Sequence, residues 1–219
     1  MKIKYFDCKE KPSCNIKVPM NLEKLRADTE IGKEIKDMGA FYKAMDNDLA
    51  SFDKEMGIVC RCKSGNCCEH FVPSLTPLEA QYLAYVIIRD GKEEDVLSRL
   101  SAYGPRSGVC PLYNKEGNFH CSLYLGRGLI CRLFGAACFV DKEGRGIFHS
   151  CKWNSDKKSF DEKVLEGKKI PIMGDYGRAL GSMEGNEQDA EAINLALPKA
   201  IEKIKLVLSL IDKDSEYNK

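Results

Sequence analysis

From Glu30 to Met56 the apolar residues fall at Ile31, Ile35, Met38, Tyr42, Met45, Leu49, Phe52 and Met56, in alternating steps of four and three. A strand alternates with period two, so this pattern excludes one and predicts a long amphipathic helix over 30–56. Gly32 and Gly39 weaken it by about 1 kcal/mol each relative to alanine, and Gly57 is placed to end it. A helix of this length must bury its stripe. It can do so against its own domain, or against a second copy as a two-stranded coiled coil, a homodimer through the 30–56 helix.

Further helix signals follow. In "TPLEAQYLAYVIIRDG", Thr76 is a candidate N-cap, Pro77 suits the first helical position, Glu79 completes a capping box, and Gly91 is a stop. "KEEDVLSRLSAY" reads as a second helix, acidic at its start as the helix dipole prefers, and Gly104-Pro105 breaks it. Between Val109 and Tyr124 the pattern predicts two short strands around a turn at Asn114–Asn118. "RGLICRLFG" suits one or two helical turns, and "ACFVDKEGRGIFHSCKW" a hairpin turning at Asp141–Gly146. A C-terminal helix carries Ile193, Leu197, Ile201, Ile204, Leu208 and Ile211 on one face, with Pro198 expected to kink or restart it and the last residues expected to fray. The fold class is therefore mainly α, with a small irregular α+β cysteine-rich middle: helices flanking short β-hairpins around a metal site. Three segments follow: 1–57, an N-terminal stretch and long helix; 58–153, a cysteine-cluster domain; and 154–219, a C-terminal helical extension packed on the same domain.

Cysteine usage gives the second constraint. The chain has eleven, nine of them between Cys60 and Cys151, and "CRCKSGNCCEH" places four between Cys60 and Cys68. An odd number cannot pair completely, and 219 residues can bury a core without cross-links. Metal or redox chemistry is the better reading. Cys138, alone in "GAACFV", fits a buried small hydrophobe instead. Thiolates bind zinc, copper(I) and the irons of iron–sulfur clusters. Zinc knuckles come as compact pairs, but Cys110, Cys121, Cys131 and Cys151 arrive singly, so only the tertiary fold can bring them together. Adjacent Cys67 and Cys68 cannot readily serve one small ion, which points to a cluster or to two metals. His70, His120 and His149 each lie near a cysteine and are expected as hydrogen-bonded turn residues, with ligation the alternative.

Charge excludes other classes. Thirty-four basic and 33 acidic residues leave a net +1, with no basic stripe that asks for nucleic acid. No segment is apolar enough for a membrane span or a signal peptide. The expectation is a cytoplasmic protein without nucleic acid or membrane as partner, and with a protein partner. No Gly-rich loop of dinucleotide type follows a strand.

The order of a loop ending in Cys67-Cys68, then "TPLEA", "CPLY" at Cys110–Tyr113, "CSLY" at Cys121–Tyr124 and "CRLF" at Cys131–Phe134 resembles the YkgJ-type zinc- or iron-chelating cysteine-cluster family, named for a CxxCxxCC signature. The resemblance covers about residues 58–153. It implies that Cys67, Cys68, Cys110, Cys121 and Cys131 are the metal positions, with Cys151 next. Two departures stand out. Cys60 and Cys62 precede the Cys-Cys pair at altered spacing, which makes them weaker ligand candidates. Arg127 is followed by Gly128 where the family has Arg-Pro.

The expectation is an iron–sulfur cluster, 4Fe–4S, serving electron transfer or protein methyl transfer. The alternative is a structural zinc-binding interaction module without catalysis. A related domain in flagellin lysine N-methylases implies an S-adenosylmethionine-dependent role by analogy, with Arg127, Arg132, Tyr124, Glu69 and His70 as polar candidates. Cys8 and Cys14 lie outside the motif.

Overall fold

Thr29 fixes the start of the longest predicted element. In the computed structural model its hydroxyl caps the Gly32 N–H, and α2 runs Glu30–Met56, as the stripe requires. Gly57 closes α2 in the left-handed region at φ 62°, returning its N–H to Asp53. The structure describes residues 20–58, 66–104, 108–116, 120–152, 156–185 and 189–217.

A helix not foreseen from the sequence, α1 (Met20–Asp28), precedes α2 and buries Leu22 and Leu25. After α2 come α3 (Asn66–Glu69), β1 (Ser74–Leu75), α4 (Pro77–Arg89), α5 (Glu93–Ala102), a 3-10 turn (Tyr124–Gly126) and α6 (Leu129–Leu133). Then follow β2 (Phe139–Val140), β3 (Gly146–His149), β4 (Ser159–Phe160), α7 (Glu162–Leu165), α8 (Met173–Glu184), β5 (Glu191–Ala192) and α9 (Ile193–Tyr217). The fold is mainly helical, with two small antiparallel sheets, β1–β5 and β2–β3–β4.

The stripe on α2 serves three cores in succession. Ile35 joins a core made with α1, α4, α5 and α9. Met38, Tyr42, Met45 and Leu49 meet Leu78, Leu133 and Leu180. Phe52 packs with Ile58, Phe148 and Leu165. Burial of one such side chain contributes about 1.5–3 kcal/mol, so the face a dimer seam would use is already packed inside the chain. The other strong helix signals hold: α4 carries the full capping box of Thr76 and Glu79, with Pro77 leading. It packs on α2 and, most extensively, on α9, so all three sequence segments contribute to one body.

Three local expectations change. Among the described residues of 109–124 there is no strand pair but a single antiparallel bridge, Tyr113 to Cys121. Pro111 has no N–H for a ladder, and the Tyr113 N–H turns back to the Cys110 carbonyl. Pro198 does not restart α9, which runs unbroken from Ile193 to Tyr217. Leu197, Ile201 and Ile204 on either side of it are nearly fully buried, and that packing outweighs the lost backbone bond. Helix α8 arises from "MGDYGRALGSME", whose glycines hide it from propensity; Leu180 anchors it in the second core and Tyr176 donates to Asp48. The 139–149 hairpin forms as expected, with the Asp141 carboxylate accepting from the Glu143 and Arg145 N–H groups in its turn.

Candidate metal centre

Four separate segments carry the central cysteines. The single turn of α3 presents Cys67 and Cys68. The Cys110 N–H donates to the Cys68 carbonyl at 2.8 Å, fixing the second segment against the first. The third segment is joined by the Tyr113–Cys121 bridge and by the Ser122 N–H to the Leu112 carbonyl. Leu112 and Leu123 are buried in the first core and pin this loop down, with Cys68 and Cys121 packed against the same core. Cys131 comes from α6.

The charges of these cysteines act on one another in part: Cys67, Cys110 and Cys121 on Cys68, Cys67 and Cys121 on Cys110, and Cys110 and Cys121 on Cys131. The Cys68 thiol is pushed far up by its hydrogen bond with Cys67 and by burial, then by the charges of Cys67, Cys110 and Cys121. Burial lifts Cys110 to about 12, with Cys121 adding to it. Burial lifts Cys131 to about 12, with Cys110 and Cys121 adding. Burial also raises Cys121, which Arg127 opposes. The seven described cysteines, Cys67, Cys68, Cys110, Cys121, Cys131, Cys138 and Cys151, stand as thiols. Among the described residues, no three His, Cys, Asp or Glu side chains stand close enough to hold a metal ion as they are. The donor chemistry still suits a thiophilic metal or cluster: several partly desolvated sulfurs on neighbouring segments, with the Arg127 charge opposing the rise of two of them.

The other predicted residues divide. Cys60 and Cys62 lie outside the described residues, as do Cys8 and Cys14. Cys151 lies beyond α6, where a side chain at Gly135 would meet its Cβ at 3.0 Å. Cys138 is fully buried in the third core, as its apolar surroundings predict. His120 and His149 are turn and hairpin residues, the first against the Asn114 carbonyl and the second against the Ser159 hydroxyl at 2.7 Å. His70 is exposed and Glu69 half-buried at the end of α3.

Beneath Cys131 lies a buried polar network that sequence reasoning only half reached. Glu79, read as a cap, is buried, and its carboxylate accepts from three elements: the Tyr42 hydroxyl at 3.0 Å, the Thr76 N–H at 2.9 Å, and the Leu129 N–H that opens α6. Burial and then the Glu79 charge hold the Tyr42 hydroxyl well above its usual range. Arg132 is also buried. It donates to Asp46 and to the carbonyls of Leu125 and Arg127, with its guanidinium 4.0 Å from the centre of the Tyr42 ring. Asp46 is 43% exposed, so the pair contributes more through fixed geometry than through charge. Glu79 could have been found from spacing: with Leu83 and Val86 it shares the inward face of α4.

The departure at Gly128 also has a physical basis. A side chain there would meet Leu75 Cδ2 at 2.5 Å and Glu79 Oε1 at 3.1 Å. The backbone passes too close to the Glu79 carboxylate for a proline ring to fit without displacing Leu75.

Among the described residues no helix is long and apolar enough to cross a membrane. No family model, curated protein or solved structure matches the chain.

Proposed function

We propose that this protein holds an iron–sulfur cluster, 4Fe–4S, on thiolates drawn from Cys67, Cys68, Cys110, Cys121 and Cys131. The observation that carries this reading is the convergence of cysteine-bearing segments: the Cys110 N–H donates to the Cys68 carbonyl, Cys121 is bridged to Tyr113 beside Cys110, and the charges of Cys110 and Cys121 reach Cys131. Five exceeds the four that a single zinc requires. Cys151, Cys60 and Cys62 are reserve positions. The bound cluster would supply electron transfer or an open iron for a substrate. Of the polar candidates, Arg132 is committed to structure through its three donor bonds, which makes a catalytic part for it unnecessary. A protein partner and a cytoplasmic setting accompany this reading, since reducing compartments keep such thiols available.

One observation favours a second reading, a structural zinc module. The described residues of 108–133 contain one bridge, one 3-10 turn and the five-residue α6, and a metal would supply order that regular structure does not.

Anaerobic purification with X-ray fluorescence, ultraviolet–visible and electron paramagnetic resonance spectra separates them. Iron with sulfide-to-iron absorption is the expected result. A colourless protein with stoichiometric zinc replaces the first reading with the second, and a chain that takes up neither metal overturns both. Calorimetry with S-adenosylmethionine tests the methyl-transfer role: no binding removes it.

A further inference from the structure

Two of the described thiols are joined through their backbones. The Cys110 N–H donates to the Cys68 carbonyl at 2.8 Å. That bond limits how far apart the two residues can stand. From the Cys68 Cα through its carbonyl oxygen to the Cys110 N and Cα, the path spans at most about 6.7 Å, and the bends at the oxygen and the nitrogen shorten it further. A disulfide takes Cα atoms about 4.4–6.8 Å apart, with side chains that do not point away from each other. The separation fits, and the side chains share one environment: Cys110 is buried in the first core and Cys68 packs against that same core.

The neighbouring thiols are worse placed for a cross-link. Adjacent Cys67 and Cys68 have Cα atoms about 3.8 Å apart, short of the usual disulfide range. Cys138 is fully buried in the third core. Exposure also orders the pair. Cys68 is half-buried and Cys110 only 6% exposed, so an oxidant from solvent meets Cys68 before Cys110.

We infer that Cys68 and Cys110 form a redox-sensitive pair, closed to a disulfide by a peroxide and reopened by a thiol reductant. The Cys68 thiol attacks one peroxide oxygen; the O–O bond breaks, giving a sulfenic acid and water. The Cys110 thiol then displaces the hydroxyl from that sulfur, forming the S–S bond and a second water. Two thiols are oxidised by two electrons, and one peroxide is reduced to two waters. Burial keeps both sulfurs protonated, so closure is slow and asks for sustained exposure. Closure needs only two free thiols and does not depend on the metal reading. Once closed, the pair staples α3 to the segment of Cys110 and withdraws two sulfurs from the thiolate set proposed above.

The test holds the full-length chain, reduced and freed of metal by a chelator, in hydrogen peroxide. Remaining thiols are alkylated, and the chain is digested without reductant. Mass spectrometry should find the peptide carrying Cys110 cross-linked to the one carrying Cys67 and Cys68, with fragmentation assigning the bond to Cys68. Two alkylation sites should be lost from the monomeric chain and restored by dithiothreitol. Cys68→Ser should abolish the cross-link, and Cys67→Ser should leave it at wild-type yield. Since Cys110→Ser alters a core side chain, wild-type chain in concentrated urea serves as the control, and there the pairing should scatter among other cysteines. A cross-link that survives Cys68→Ser, or one formed as selectively in urea as in the folded chain, overturns the inference. So does oxidation that ends in sulfinic acids or in chains joined to one another. None of these results alters the metal reading, which rests on metal uptake by the reduced chain.

Discussion

The α4–α9 frame and the cysteine-bearing stretch from Gly108 to Leu133 are built on different principles. In the frame, thirteen- and twenty-five-residue helices bury whole faces against each other, and their order comes from apolar area. The cysteine stretch has almost no repetitive backbone bonding. It is positioned by a few anchors: Leu112 and Leu123 in the core, the Cys110 N–H on Cys68, and Glu79 at the start of α6. The frame can tolerate the loss of one contact among many. The stretch cannot, because each anchor fixes a different sulfur.

The largest expected effect breaks this comparison directly. If the cluster completes the stretch, chelating metal from the loaded protein removes amide-exchange protection from residues 108–133 by several orders of magnitude, since thiolate metal sites contribute on the order of 10 kcal/mol in small domains. Protection in α4 and α9 should remain. Loss that spreads equally through the frame would show the two regions to be one cooperative unit.

Glu79→Ala comes next, because Glu79 belongs to both regions. It removes a cap, the α6 contact and the Tyr42 bond together, leaving buried donors unsatisfied. We expect a loss of about 3–5 kcal/mol, read by urea denaturation, and faster alkylation of Cys131. Destabilisation without altered Cys131 reactivity would assign Glu79 to the frame alone.

Asp53 probes the last turn of α2, outside both regions. Burial raises its carboxyl to about 7, and its Oδ1 is buried without a partner. The folded state therefore holds a proton that the unfolded state gives up near pH 4. Stability is greatest below about pH 4 on this account and falls as pH rises toward 7. Asp53→Asn should flatten that dependence and raise the melting temperature at pH 8 by about 2–4 °C. An unchanged slope between pH 4 and 7 would refute this assignment.

The smallest effect is expected for Thr29→Ala. Losing the cap on Gly32 costs about 1 kcal/mol, and alkylation of Cys131 should stay at the wild-type rate. A change there would couple the frame's edge to the sulfurs more tightly than the anchors suggest.

What could be read from the sequence follows the same divide. Helix α2 was legible to its ends because Thr29, Gly57 and eight periodic side chains agree, and α4 because its capping box is local. Helix α8 was not, since Gly174, Gly177 and Gly181 mask a stripe that only docking reveals. The five cysteines could be named from their motifs, but the side chains around them could not. Tyr42 and Asp46 lie one turn apart on α2, but nothing local links them to Arg132, 86 positions beyond Asp46. The strands expected at 109–124 failed because alternation there reflects anchoring of Leu112 and Leu123, not a ladder.

Glu79 also couples the docking of three elements. Its carboxylate is fully engaged only when the Tyr42 hydroxyl of α2, the start of α4 and the first N–H of α6 have all arrived. A chain with two of the three in place carries an under-solvated charge, so partial docking is penalised. The placement of the segment bearing Cys131 is thereby tied to the meeting of α2 and α4.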